Sequence, residues 1–233
     1  MGYPRILADI PQPAQRSKEW YELRANLITA SNIASILDMN PYKKRSEYLR
    51  ELTDPTAEKF AGNVMTVHGT YYEDPSIQAY TDAFGYSGAD LGLVRVIDNV
   101  QHRDYARIRD QSLHWLAGSV DKLVWNEEIL EPTRADCIAV ENKCPYNRPR
   151  LQFGSVRPYY WPQLQLNMFI LDVDRGDYVE MIPKDFKGQG FQMNVVRMYR
   201  DDAWIWGFAL PKLAEFYAEW QDRMARKKRL RTD

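Results

Sequence analysis

The chain has 233 residues, 45% of them apolar, a formal charge of -1, two cysteines and three histidines. That length and composition fit one sizeable core, and the sparse Cys and His exclude a disulfide framework or a zinc site of the usual spacing. Near-neutral charge gives no global attraction to a polyanion, so contacts with one would come from local patches such as the basic run ARKKRLR at 225–231.

No apolar run approaches the ~20 residues needed to span a bilayer. The start, MGYPRI, lacks a signal-peptide core and has no Ser or Thr at position 6 for myristoylation. A soluble intracellular protein in a reducing compartment is expected, with no membrane partner. Residues 1–15, with Pro4, Pro11 and Pro13, read as an extended arm. Residues 224–233 read as a basic tail, and 1–233 as a single domain.

In chain order, Ser31 is positioned to N-cap a short helix carrying Ile33, Ile36 and Leu37 that Asn40-Pro41 ends. Ser46-Glu47 begins another. A longer helix is expected over 69–84, with Tyr72, Tyr80 and Phe84 at helical intervals, Glu73 riding on it, and Pro75 in a first turn or at a kink. From Leu91 the period shifts toward strands: LGLVRVI (91–97), WLAGSVDKLVW (115–125) and CIAVENKCP (137–145), with a turn-rich link at 126–136. A loop with Arg148 and Arg150 follows. PYYWP (158–162) then leads into a helix, QLQLNMFIL, whose entrance carries Tyr160 and Gln163. Strands around 178–182 and 191–198 precede a long amphipathic helix starting near Asp201.

A hairpin centred near Pro132 pairs residues whose numbers sum to about 264, which sets Asp121 opposite Lys143 and Trp125 opposite Ala139. Side chains alternate along a strand, so Glu141 and Lys143 share a face about 7 Å apart. Asp121, Glu141 and Lys143 therefore converge. Hydrolysis of a phosphodiester needs a hard cation, a nucleophilic water and positive charge for the transition state. Asp121 and Glu141 are oxygen ligands of the kind Mg²⁺ prefers, the backbone carbonyl of Asn142 offers another, and Glu73 can ligate the same ion or a second one. Lys143 stabilises transition-state charge, with Gln163 bonding the water or holding Lys143. Glu-x-Lys alone is a weak signal. Two carboxylates and a lysine inside apolar strand sequence are a stronger one, since burying them is costly.

The ordered motifs W-x-x-x-R-x-x-x-I-T-A-S (20–31), H-G-T-Y-Y-E (68–73), G-S-V-D (118–121), E-N-K-C-P (141–145) and Y-W-P-Q-L-Q (160–165) span most of the chain. Together they resemble the YqaJ-like viral recombinase, or lambda-type phage exonuclease, family of the PD-(D/E)xK nucleases. The resemblance implies a restriction-endonuclease-like α/β fold, a mixed central sheet flanked by helices. It also implies a Mg²⁺-dependent enzyme, with Mn²⁺ able to substitute, that digests linear duplex DNA from a 5′ end and hands the 3′-ended strand to a single-strand annealing protein. By the same likeness Glu73, Asp121 and Glu141 are metal carboxylates, Lys143 the catalytic lysine and Gln163 its helper. Arg24 and Ser31 bind the terminal 5′-phosphate, which suits an arginine fork beside a hydroxyl. Arg148 is a further phosphate ligand and Tyr160 a substrate contact. The assembly is a monomer or a homotrimer, in the cytoplasm of a bacterial host or in the nucleus or cytoplasm for a eukaryotic virus.

Val120-Asp121-Lys122 stands where many members have Pro-Asp-Gly, which sets an extra positive charge beside the carboxylates. Trp20 reads as core or as a platform under Arg24, Trp161 as packed, and His68 as structural. Two other readings stay open: an endonuclease or a repair or CRISPR-type nuclease of the same superfamily, and a catalytically inactive DNA-binding module.

Overall fold

The apolar stretch around Leu116 and Leu123 is broken by Ser119-Val120-Asp121, and the chain uses the break to leave one sheet and enter another. In the computed structural model, which describes residues 2–11, 13, 17–54, 56–57, 62–146, 151–184 and 190–229, β1 (Ile28–Thr29), β4 (Leu116–Gly118) and β3 (Val94–Arg95) form a small sheet in that order. A larger sheet runs β2 (Tyr86–Ala89), β5 (Lys122–Asn126), β6 (Ile138–Lys143), β7 (Arg175–Pro183), β8 (Phe191–Tyr199). The pairs β1–β4 and β6–β7 are parallel and the rest antiparallel. The architecture is thus mixed α/β with two sheets where one was expected.

The helices are α1 (Tyr3–Ala8), α2 (Lys18–Arg24), α3 (Ile33–Ile36), α4 (Arg45–Thr53), α5 (Val64–Phe84), α6 (Tyr105–Asp110), α7 (Trp161–Ile170), α8 (Asp202–Trp204) and α9 (Leu210–Arg229), with a π-helical stretch at Ile205–Ala209 joining the last two. None is long and apolar enough to cross a membrane. The 1–15 arm is overturned: Pro4 sits in the first turn of α1, where a missing N–H costs nothing, and Tyr3 and Leu7 are buried. The expected 69–84 helix begins earlier, at Val64, because Asn63 caps Met65 and Thr66. Pro75 lies inside it. The run 91–97 yields only the two-residue β3 and a 3-10 turn at Val96–Asp98. The β7, β8 and α7 expectations hold, and Asp201 caps the last helical segment through Trp204 N–H at 2.9 Å. The basic tail begins as the end of α9, where Lys227 Nζ donates to the Thr53 carbonyl at 2.6 Å, and 230–233 lie outside the described residues.

Two layers of helix cover the larger sheet. Ile138, Val140 and Cys144 of the β6 segment pack with Tyr72 and Tyr80 of α5 on one face, while Ala139, Leu123 and Tyr178 pack with the apolar side of α7 on the other. Contact with α7 is close because two strand positions lack a Cβ. One added at Gly118 would stand 2.5 Å from Asn167 Oδ1 and 2.9 Å from Ile170 Cδ1, and one at Gly176 2.9 Å from Leu164 Cδ1. The C-terminal end of α7 is held by Asp172, a fully buried residue at φ 53°, a left-handed conformation that Asp tolerates better than most. Its carboxylate accepts from Arg103 N at 2.8 Å, Arg103 Nε at 2.6 Å, Arg200 at 3.1 Å, and Arg134. Burial pushes its pKa up, but His102 and these donors outweigh burial and hold it below the usual carboxylate range.

Gly118→Ala is expected to lower unfolding free energy by about 1–3 kcal/mol in a urea titration through overpacking under α7. Gly69→Ala, in α5 where an added Cβ meets nothing within 4 Å, should be neutral or stabilise by up to ~1 kcal/mol; equal losses in the two would contradict the close approach. Asp172→Asn leaves three arginines without their carboxylate and should cost about 3–5 kcal/mol. A depressed carboxylate stabilises above its unfolded pKa, about 4, and its contribution fades as pH falls through the folded value. The gap between wild type and Asp172→Asn should therefore be full at neutral pH and close only in acid.

Candidate functional site

Alternation along β6 decides which residues reach the cleft. Asn142 faces α5, where its Nδ2 donates to Ser76 Oγ at 2.6 Å, and Glu141 and Lys143 face α7. Glu141 is 1% exposed. Its Oε1 accepts from Lys143 Nζ and from Gln163 Nε2 at 2.5 Å, and its Oε2 from Asn167 Nδ2 at 3.3 Å. Gln163 and Asn167 are one turn apart on α7, so a single helix face presents both amides.

Asp121 stands at the break between β4 and β5. Its N–H donates to the Val140 carbonyl at 3.1 Å, and its Oδ2 accepts the Asn142 N–H at 2.6 Å. The N–H and C=O of one strand residue point to the same side, so the Asn142 carbonyl is directed toward Asp121 as well. The hairpin register differs from the expected one: Lys122 pairs with Val140 and Val124 with Ile138, a sum of 262. The slip is two residues, an even number, so the paired side chains keep their faces; the ladder ends at Lys122, and Asp121, just beyond it, reaches β6 through the Val140 carbonyl and the Asn142 N–H instead of standing opposite Lys143.

Asp121, Asn142 and Lys143 line a cleft of about 800 Å³ together with Glu73, Tyr159, Tyr160, Arg157 and Glu180, while Glu141 is buried against Lys143. Glu73 and Asp121 also line a second, polar hollow of about 470 Å³. Lys143 Nζ sits 5.2 Å from the Tyr160 ring centroid, and Tyr160 stacks on Tyr178 at 5.6 Å. Lys122 is turned away, onto Asp90 at 2.9 Å.

The electrostatics are unbalanced. Burial raises Glu141 to about 7; Lys143 lowers it, but Asp121 and Glu73 push it further up. Burial likewise raises Asp121 against the opposing effects of Lys143 and the Asn142 N–H. Lys143 is raised: burial lowers it, and the Glu141 and Asp121 charges more than compensate. Hard oxygen donors short of positive charge fit a divalent cation held by Asp121, Glu141 and the Asn142 carbonyl, with water and substrate completing the shell. Among the described residues no three His, Cys, Asp or Glu side chains are grouped closely enough to hold a metal ion. Glu73 therefore faces the cleft without closing a three-carboxylate cage.

Arg24 NH2 donates to Ser31 Oγ at 3.0 Å, with its guanidinium 5.1 Å from the centroid of the buried Trp20 ring. Ser31 lies inside a 3-10 turn, Ala30–Asn32, and its hydroxyl meets Arg24 and Thr29. It caps nothing, which corrects the N-cap expectation. The parallel β1–β4 pairing, Thr29 with Ala117, brings Ser31 and Asp121 out at the same end of the small sheet. Arg148 lies outside the described residues. His68 packs between Tyr72 and Tyr146, at 4.7 and 5.2 Å, and Trp161 packs on Trp204 at 4.6 Å.

Sequence reasoning missed Asn167 and Arg157. Asn167 carried a legible signal, since Gln163 and Asn167 are polar residues at i and i+4 on one face of a largely apolar helix. Arg157 carried none, being a loop arginine ahead of the Tyr-Tyr-Trp-Pro turn.

The chain is similar to known proteins over most of its length. It is 28% identical over 193 residues to "Protein D345L" of African swine fever virus (isolate Tick/Malawi/Lil 20-1/1983), covering 76% of this chain and 52% of that protein. It thus spans about half the length of that relative. Among solved structures, the alkaline exonuclease LHK-Exo from Laribacter hongkongensis superposes with a TM-score of 0.69 at 23% identity, covering 93% of this chain and 98% of that one. The same protein has been solved in complex with dAMP. The likeness establishes the restriction-endonuclease-like fold. Residues 19–174 match the YqaJ-like viral recombinase domain, and the chain belongs to that family.

Proposed function

We propose that this chain is a Mg²⁺-dependent deoxyribonuclease that degrades linear duplex DNA from 5′-phosphorylated ends. The observation that carries the reading is the meeting of Asp121 and Lys143 on the wall of one cleft, with Glu141 buried against Lys143 and on amide donors from α7. A structural ion pair would not need two carboxylates facing one lysine. Family membership and the likeness to LHK-Exo, an alkaline exonuclease, support the same class of reaction. Asp121, Glu141 and the Asn142 carbonyl would hold a divalent cation, Mg²⁺ or in its place Mn²⁺, which would supply Lewis acidity and neutralise phosphate charge.

The chain's own groups have distinct tasks. Gln163 and Asn167 fix the Glu141 carboxylate in place, and the Asn142 N–H fixes that of Asp121. Lys143, kept charged by its two carboxylate neighbours, places an ammonium beside the reacting phosphate, where it stabilises developing negative charge. The Tyr160 face holds that ammonium from the other side. Glu73, on α5 and lining the same cleft, adds negative charge that would favour a cation there. Arg24 and Ser31, already hydrogen-bonded to one another at the same sheet end, form the receptor for the terminal phosphate. That pocket favours an end-directed enzyme over an endonuclease, and the intact Asp121, Glu141 and Lys143 set argues against an inactive binding module. The 3′-ended strand left behind is the substrate a single-strand annealing partner would take up.

Lys143→Ala is expected to abolish cleavage while the variant still folds and binds duplex, with a lower melting temperature because buried Glu141 loses its charged partner. The assay compares a 5′-phosphorylated linear duplex, its 5′-hydroxyl counterpart and a closed circle. Shortening of the phosphorylated duplex alone supports the reading; cutting of the circle would establish an endonuclease, and no cleavage of any substrate would sink the proposal. Mg²⁺ affinity by calorimetry should rise between about pH 6 and pH 8, because Glu141, raised to about 7, must lose its proton before it can bind a cation. In Glu141→Gln that rise should vanish along with most of the affinity; a rise of equal size in the variant would show that another group governs it.

A further inference from the structure

Arg157 lies in the loop before α7, on the wall of the cleft that also holds Lys143, Tyr159, Tyr160 and Glu180. Among the described residues, Lys143 and Arg157 are the cationic side chains lining that cleft. Lys143 is committed to Glu141. Arg157 is anchored differently: its NH1 donates to Tyr159 Oη at 3.1 Å, while its Nε is buried without a hydrogen-bond partner among the described residues. A buried guanidinium N–H left unsatisfied is costly, and a planar fork of N–H donors matches the paired oxygens of a phosphate as it does those of a carboxylate. Tyr159 is itself packed edge-on to Tyr42 at 5.9 Å. That contact ties the loop to the segment between α3 and α4 and fixes the guanidinium before substrate arrives.

We propose that Arg157 binds a backbone phosphate of the DNA strand next to the scissile one, with Tyr159 acting as the positioning residue that aims its guanidinium. The proposal rests on the nuclease reading above and adds to it a second phosphate contact in the same cleft as Lys143. Arg157 holds the strand in register with Lys143 and takes no part in bond cleavage. Its loss therefore acts on binding and leaves the chemical step intact.

The test measures binding of a 5′-phosphorylated duplex in EDTA, across a salt series, for wild type, Arg157→Ala, Arg157→Lys, Tyr159→Phe and the Arg157→Ala/Tyr159→Phe double variant, with a thermal melt of each. Arg157→Ala should weaken binding about tenfold and flatten the plot of log affinity against log salt by about one unit. Under Mg²⁺ it should raise KM while kcat at saturation changes little. Arg157→Lys should keep the salt slope and recover part of the affinity. Tyr159→Phe should weaken binding less than Arg157→Ala and add nothing in the double variant, the non-additivity expected of residues acting as one unit. If folded Arg157→Ala binds with the wild-type affinity and salt slope, or if the tyrosine and arginine effects simply add, the proposal is overturned. Arg157→Lys separates a folding defect from a binding one: a variant that melts as wild type but binds no better than Arg157→Ala would also overturn it. Wild type that binds no duplex at all would overturn the nuclease reading and this inference together.

Discussion

A carboxylate buried inside a sheet sets the terms for everything around it. Glu141 is 1% exposed, and a charge so placed is tolerated only where donors surround it. The protein meets that demand with a lysine two residues along the same strand and with two amides from one face of α7. The amides reach Glu141 only if α7 lies close to the strands, and close approach is possible because Gly118 and Gly176 leave no Cβ beneath it. Glycine in G-S-V-D thus answers a packing constraint three residues before the carboxylate that the motif is known by. Site and core are one construction here, and a change beneath α7 acts on the site even though it touches none of the charged groups.

Asp121 owes its position to a different device. A continuous strand from Leu116 to Asn126 would have locked the backbone at 119–121 into a ladder. The chain instead ends β4 at Gly118 and restarts at Lys122 in the neighbouring sheet. Asp121 keeps one foot in the pairing through the Val140 carbonyl and turns its carboxylate to the Asn142 N–H. The corner between sheets is also where β1 ends beside β4, which brings Ser31, and Arg24 with it, to the same edge. Parallel neighbouring strands place their C-terminal loops side by side, and ligand sites collect there for that reason.

How far the sequence revealed this depends on the kind of information. Alternation was legible, so Glu141 and Lys143 share a face and the paired residues of β5 keep theirs in a register that is two residues away from the expected one; an odd slip would have turned the β5 face over. Chain-order expectations for β6, α7, β7 and β8 held because their apolar periods are strong. Composition misled at the N-terminus, where three prolines suggested an arm, although only Pro4 falls within α1 and there it occupies the one turn that accepts it. Ser31 looked like a cap since Ser before an apolar run usually is one, and its hydroxyl is used for Arg24 and Thr29 instead. Arg157 was illegible for a physical reason: nothing local distinguishes a loop arginine that faces a cleft from one that faces water.

Two deeply buried acidic centres show how structural and functional clusters differ. Asp172 is fully buried and its three arginines more than offset the burial, which leaves its pKa depressed. Its charge is satisfied within the fold, and nothing further is needed to stabilise it. Glu141 is buried to the same degree with a single lysine and two neutral amides, beside Asp121 and within range of Glu73, and its pKa rises to about 7. The fold has therefore left negative charge uncompensated at one place and compensated it fully at another, using the same residue types. Negative charge left uncompensated beside a cleft is a common mark of a functional site. A cation at Asp121 would supply the missing positive charge, and the cleft wall beside it already carries Lys143 and Arg157.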